Sequence, residues 1–151
     1  MKKLLMPLIA AILVFSLCSC GASAPKTDSM SIIVPNMLEN ASLTIVDGTL
    51  TKAYASAVVK NGSTLELDSG NENDFFIDVQ LNGVWYSLKE PEDLANTAEA
   101  LIFEPGSEHG LDFSWQSRYG ALPAGHYRLV KAFFTDTSNT LIYLADEFDI
   151  S

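Results

Sequence analysis

Residues 75–88 read Phe75-Phe76-Ile77-Asp78-Val79-Gln80-Leu81-Asn82-Gly83-Val84-Trp85-Tyr86-Ser87-Leu88. Ile77, Val79 and Leu81 alternate with Asp78 and Gln80, the period of two of a strand with one face in a core. Asn82-Gly83 follows at once, and the next apolar run begins at Val84. Both central residues of a type I′ turn need positive φ, which Asn and Gly tolerate, so the stretch predicts a tight antiparallel hairpin.

The flanking sequence repeats this grammar of short β-branched and aromatic runs separated by turn residues. Residues 42–46 and 53–60 flank Asp47-Gly48, and the second run stops at Asn61-Gly62-Ser63. Residues 100–103 and 111–113 lie on either side of Glu104-Pro105-Gly106-Ser107, and two long runs, 126–134 and 140–150, close the chain. Short strands at this spacing without intervening helices predict an all-β sandwich or barrel rather than βαβ units. The one helical candidate is 91–100, where Pro91 and two acidic residues suit a first turn.

Leu122-Pro123-Ala124-Gly125-His126-Tyr127-Arg128 resembles the tyrosine corner of immunoglobulin-like sandwiches, in which a phenol at the start of a strand bonds back to nearby backbone. With Asn82-Gly83-Val84-Trp85-Tyr86, Glu104-Pro105-Gly106, Trp115, Tyr119-Gly120 and the ending Glu147-Phe148-Asp149-Ile150, the chain is similar over residues 42–150 to bacterial Ig-like domains. These occur on exported proteins and lipoproteins, mostly of Firmicutes. The resemblance implies an Ig-like β-sandwich of about seven antiparallel strands in two sheets, with a short helical turn in a connection. It brings no catalytic residues, and it makes Tyr127, Gly125 and Trp85 structural, with Trp85 expected in the core. The cysteine pair of antibody domains is missing, so packing alone must hold the sheets.

The N-terminus has a different composition. Lys2 and Lys3 precede an apolar run over 4–17, about 14 residues, where a spanning helix needs roughly 20. The run ends in Leu17-Cys18-Ser19-Cys20, which resembles the bacterial lipoprotein box. Cleavage would precede Cys20, and its thiol would take diacylglycerol, with palmitate-type chains holding the protein at the extracytoplasmic face of the cell membrane. Cys18 is disfavoured because bulky Leu17 would precede that cut. The organisation expected is a signal peptide over 1–19, the lipidated Cys20 with a tether over 20–41, and the sandwich over 42–151. Residues 21–31, small and polar, read as a flexible tether reaching roughly 35–40 Å. Ile32-Ile33-Val34 ahead of Pro35 fits either an edge strand or more tether.

Loss of Lys2 and Lys3 with the signal would turn the net charge of −10 into −12. That balance argues against nucleic acid, whose phosphates need clustered Lys and Arg, and against electrostatic docking on anionic lipid. The fatty anchor must therefore hold the membrane. An envelope protein or glycan is the expected partner of a non-catalytic binding module.

Asp68, Asn71, Glu72 and Asp74 place oxygen ligands around Gly70, as calcium requires, though without EF-hand spacing; a solvated hairpin loop is the plainer reading. This supports an alternative function, a calcium- or small-ligand-binding sensor. Otherwise no cofactor is expected. His109 and His126 alone make a poor zinc site, and no Gly-x-Ser-x-Gly elbow exists for a hydrolase. Asn61-Gly62-Ser63 formally matches a glycosylation acceptor and reads as a turn. Tyr86 and Trp115 are candidate exposed contacts for a partner, with burial as the competing reading. Arg128 and Lys131 are three apart on a strand that does not alternate cleanly. A β-bulge is expected to bring both to one face, where they pair with carboxylates or recognise an anion.

Overall fold

The computed structural model describes residues 24–70, 74–91, 100–135 and 140–151. The helix expected over 91–100 falls largely outside them. Among the described residues there are ten strands and one short helix: β1 Thr27–Met30, β2 Ala41–Ile45, β3 Tyr54–Asn61, β4 Leu67–Ser69, β5 Phe75–Leu81, β6 Val84–Leu88, β7 Leu101–Phe103, β8 Glu108–Ser114, α1 Gln116–Tyr119, β9 Gly125–Thr135 and β10 Leu141–Ile150. The sequence reading missed β1, β4 and α1.

Two antiparallel sheets face each other. The small one runs β2-β3-β8, and the large one has seven strands. In the large sheet β9 is the central strand. It pairs with β10 along its length, with β5 on the other side over residues 127–131, and then with β4 at residues 134 and 135. β6 pairs with β5 through the expected tight turn, in which Asn82 and Gly83 both take positive φ (51° and 79°).

Between the sheets, alternate residues interdigitate: Ala55, Ala57 and Val59 from β3, Leu111 and Phe113 from β8, Ile77 and Val79 from β5, and Leu129 and Phe133 from β9. Aromatic contacts dominate. Phe75 meets Phe113 edge-on at 5.2 Å, Phe103 meets Phe133 at 5.4 Å, and Phe148 is stacked between Trp115 and Tyr127 at 5.8 and 5.6 Å. Asp146 ties the layers at one edge, its Oδ2 accepting from Ile45 N–H of β2 at 2.8 Å.

Residues 27–30, expected within the tether, instead form β1, which pairs with β6 from Thr27 onward. The next residues form neither an edge strand nor a tether. Ser31 N–H donates to Trp85 O on β6, and Asn36 is bonded to Tyr143 and Ala145 on the far edge of β10. The chain thus crosses the outer face of the large sheet as a strap, with Ser31, Ile33 and Pro35 toward the sheet and Ile32 and Val34 outward.

Candidate functional site

The strap encloses a polar cluster on the outer face of the large sheet. The period of two sends Asp78 and Arg128, cross-strand partners on β5 and β9, to that face. Arg128 Nε and Nη2 both donate to Asp78 Oδ2, at 2.9 and 2.7 Å, and Ser87 Oγ donates to Asp78 Oδ1 at 2.9 Å. Nη2 also reaches Ser31 Oγ and Ile33 O of the strap. The side chains of Arg128 and Asp78 are 5% and 0% exposed, so this is a buried ion pair, and Arg128 Nη2 also ties it to the strap.

Trp85 sits on the same face, a correction to its expected place in the core. The register Gln80↔Trp85 puts it on the Asp78 side, while Tyr86, opposite Val79, turns inward. The Arg128 guanidinium lies 4.6 Å from the centroid of the half-buried indole, and the His126 ring lies 5.5 Å away. His126 is held from both sides, Nδ1 by Asp149 Oδ1 at 2.9 Å and Nε2 by Glu147 Oε2 at 3.0 Å. Two carboxylates on two nitrogens favour the imidazolium. The Asp149 hydrogen bond foremost, with help from Glu147, raises the histidine pKa above 6.5 against a smaller opposing effect of burial.

The other sequence-derived residues fall elsewhere. Tyr127 Oη donates to Pro123 O at 2.8 Å, four residues upstream, the bond that defines a tyrosine corner. A Cβ on Gly125 would lie 3.1–3.2 Å from the Tyr127 ring, tighter than ordinary contact, so the glycine makes room for that ring. Leu129, two residues on, is fully buried in the place of an antibody domain's second cysteine. Trp115, considered as an exposed contact, is fully buried, with its indole N–H donating to Lys52 O at 2.8 Å. Tyr86, the other such candidate, is partly buried against the core. Neither offers an open ring to a partner.

Arg128 and Lys131 do not share a face. The register of β9 with both neighbours runs without a break, so no bulge reverses the alternation between them. Lys131 points into the sandwich between Leu129 and Phe133, fully buried, and its Nζ reaches Asp74 O at 3.2 Å. Of the calcium candidates, Asp68 belongs to β4 and Asp74 lies at the start of β5, while Asn71 and Glu72 fall outside the described residues. Among the described residues no group of three or more metal-ligating His, Cys, Asp or Glu side chains converges. Asn61 is fully buried and donates to Leu65 O and Phe103 O, which suits a turn and shields it from glycosylation. The hydroxyls of Tyr54 and Ser56 hold Asp112 below the usual carboxylate range on the small sheet's exposed face. This cluster includes no imidazole to activate the serine.

Two facing antiparallel sheets with a tyrosine corner match what is found by comparison, where the pattern of the bacterial Ig-like domain fits residues 37–148. This chain belongs to that family. No match is found among curated proteins. Bacterial Ig-like domains are in general non-catalytic modules, and here the match starts within the strap's end, just before β2. β1 and the crossing of the strap thus lie ahead of the matched residues.

Proposed function

We propose that this chain is a cell-envelope lipoprotein, held at the extracytoplasmic face of the membrane by diacylglycerol on Cys20, whose Ig-like domain binds an envelope protein. The observation that carries this reading is the closeness of the acylation box to the folded domain. Cys20 is seven residues from Thr27, where β1 joins the sheet. Seven residues span at most about 25 Å, so a lipid on that sulfur would keep the domain against the bilayer instead of on a long leash.

The strap supports the binding half of the proposal. Ile32 and Val34 are its outward side chains, with the exposed Met30 of β1 and Met37 flanking it in sequence, and Ile32 is 85% exposed. Apolar side chains displayed in a row favour contact with another protein, and methionine adapts readily at such surfaces. The row contains no flat ring for a sugar to stack on, which disfavours a glycan there.

Mass spectrometry of the protein purified from membranes tests the anchor. The expected N-terminal peptide begins at Cys20 and carries the diacylglyceryl mass; an unmodified Cys20, or a different first residue, overturns it. For the binding half, a photo-crosslinker at Ile32 should trap one specific envelope protein in living cells, and adducts no different from those of a crosslinker at Lys52 would refute it.

A further inference from the structure

Beside the root of the tether lies a cavity of about 380 Å³, bounded by the strand ends of β1 and β6 and by the segment between α1 and the tyrosine corner. Its charge is unlike that of the rest of the protein. Acidic residues outnumber basic ones 19 to 9 along the chain, yet Lys26, Lys89 and Arg118 all line this one cavity, with Glu90 as the carboxylate among the lining residues. Of the four other basic residues after Cys20, Lys52 is exposed elsewhere on the surface, Lys60 is paired with Glu108, Arg128 with Asp78, and Lys131 is buried in the core.

The two lysines lie opposite each other just beyond the Thr27–Leu88 end of the β1–β6 ladder, Lys89 N–H donating to Lys26 O at 2.9 Å. Like charges set side by side on adjacent strands repel and destabilise the pairing, a cost that an anion between them would remove. Arg118 completes the set. Its side chain is only 9% exposed, clamped over the Phe75 ring at 4.9 Å, with Nη1 bonded to Phe75 O and to Glu90. Tyr119 fixes Glu90 in turn, its Oη donating to Oε1 at 2.7 Å. Burial and this bond push the Tyr119 phenol pKa far up, so it stays a neutral donor. Among the described residues, Nε and Nη2 of Arg118 have no partner. One edge of a rigid, charged fork therefore remains available beside two mobile ammonium groups. A planar fork plus point charges suits a phosphate, and the volume is that of a small-ligand site. The rest of the wall is apolar, chiefly Leu88, Leu122 and Pro123.

We infer that this cavity binds a phosphate ester, its phosphoryl group between Lys26 and Lys89 and on the free edge of Arg118, its organic part against Leu88 and Leu122. The same chemistry has two sources, a soluble phosphate ester or the head group of a membrane phospholipid. The second source rests on the anchoring proposed above, because Ala24, Pro25 and Lys26 line the cavity only a few residues from Cys20; the site itself does not depend on it.

The test is a titration of the full chain in phosphate-free non-ionic detergent with glycerol 3-phosphate and inorganic phosphate, read by calorimetry and by melting temperature, with acetate as the control anion. Saturable binding of the phosphates and not of acetate is expected. Lys26→Gln and Lys89→Gln, both at exposed positions that leave folding intact, should each weaken it about three- to fivefold, and Lys52→Gln should leave it unchanged. Arg118→Gln should weaken it by about tenfold or more. Absence of binding, equal binding of acetate, or affinity indifferent to both lysine variants would overturn the inference. Repeating the titration in phosphatidylcholine vesicles identifies the source. If free phosphate no longer adds stability, the lipid head group already fills the cavity; if its effect persists, the ligand is soluble. Failure of the anchor leaves the detergent result standing, so the two proposals are separable.

Discussion

Replacing Asp78 by asparagine keeps the shape of the side chain and removes its charge, which leaves Arg128 as a cation under the strap without a counter-ion. In the native protein two N–H groups of Arg128 converge on one oxygen of Asp78, and Ser87 occupies the other. Breaking a buried pair by removing one partner costs about 3–5 kcal/mol, because the remaining charge is still out of water. The unfolding entropy of a chain of 132 residues, the length that the proposed cleavage before Cys20 would leave, is about 0.28 kcal/mol/K. The loss therefore corresponds to a melting temperature lower by about 11–18 °C. Urea unfolding gives the same quantity independently. Asp78→Leu combined with Arg128→Met should recover most of the loss, since an apolar pair of similar volume carries no stranded charge. The strap should report the damage first. Arg128 Nη2 holds Ser31 and Ile33, so the Ser31 amide, bonded to Trp85 O, should exchange with solvent faster in D78N even well below its melting point. If D78N loses less than about 1 kcal/mol, and Ser31 exchanges as in the wild type, the ion pair is not what fastens the strap and the reasoning fails.

Two further outcomes follow from the geometry. Tyr127→Phe removes the bond to Pro123 O and keeps the stack on Phe148, so it should cost about 1 kcal/mol and about 4 °C, measured by thermal unfolding; an unchanged melting temperature would show that the corner is held by ring packing alone. For His126, whose pKa is raised in the fold chiefly by Asp149, the added stability is fully present below the unfolded value near 6.5 and is lost as pH rises through the folded value. The difference in melting temperature between wild type and His126→Asn should thus be widest below the unfolded value of 6.5 and narrow as pH rises above it, and a gap that widened with pH would contradict the imidazolium assignment.

The hairpin and the tyrosine corner were legible in the sequence because both are local. Asn82-Gly83 fixes its own backbone, and Leu122 to Tyr127 supplies donor and acceptor within four residues of each other. The ion pair was not legible. Periodicity placed Asp78 on the face opposite Ile77, yet its partner is 50 residues away on β9. The cavity at the tether root was missed for the same reason. Lys26, Lys89 and Arg118 come from three distant segments, and the signal that pointed to them, scarce cations in an acidic chain, carries no position.

The error over Trp85 and the bulge expected between Arg128 and Lys131 share one cause. Alternation along a strand reveals a core only when the second face meets water. In β9 five consecutive residues from Tyr127 to Lys131 are buried. Odd positions enter the sandwich, while Arg128 lies against the strap and Val130 is buried on the same outer face. A strand covered on both sides looks in sequence like a strand that has slipped, and a bulge would produce the same string of residues. Composition separates the two: the outer face of a covered strand still has to satisfy polar groups, and here it does so with Arg128, Asp78, Ser87 and the half-buried Trp85. That covering comes from residues 31–36, which have no strand partner and no period of their own, so their place is set by what they cross. The strap adds a third layer over the large sheet, and it leaves Ile32 and Val34 as an outermost apolar surface.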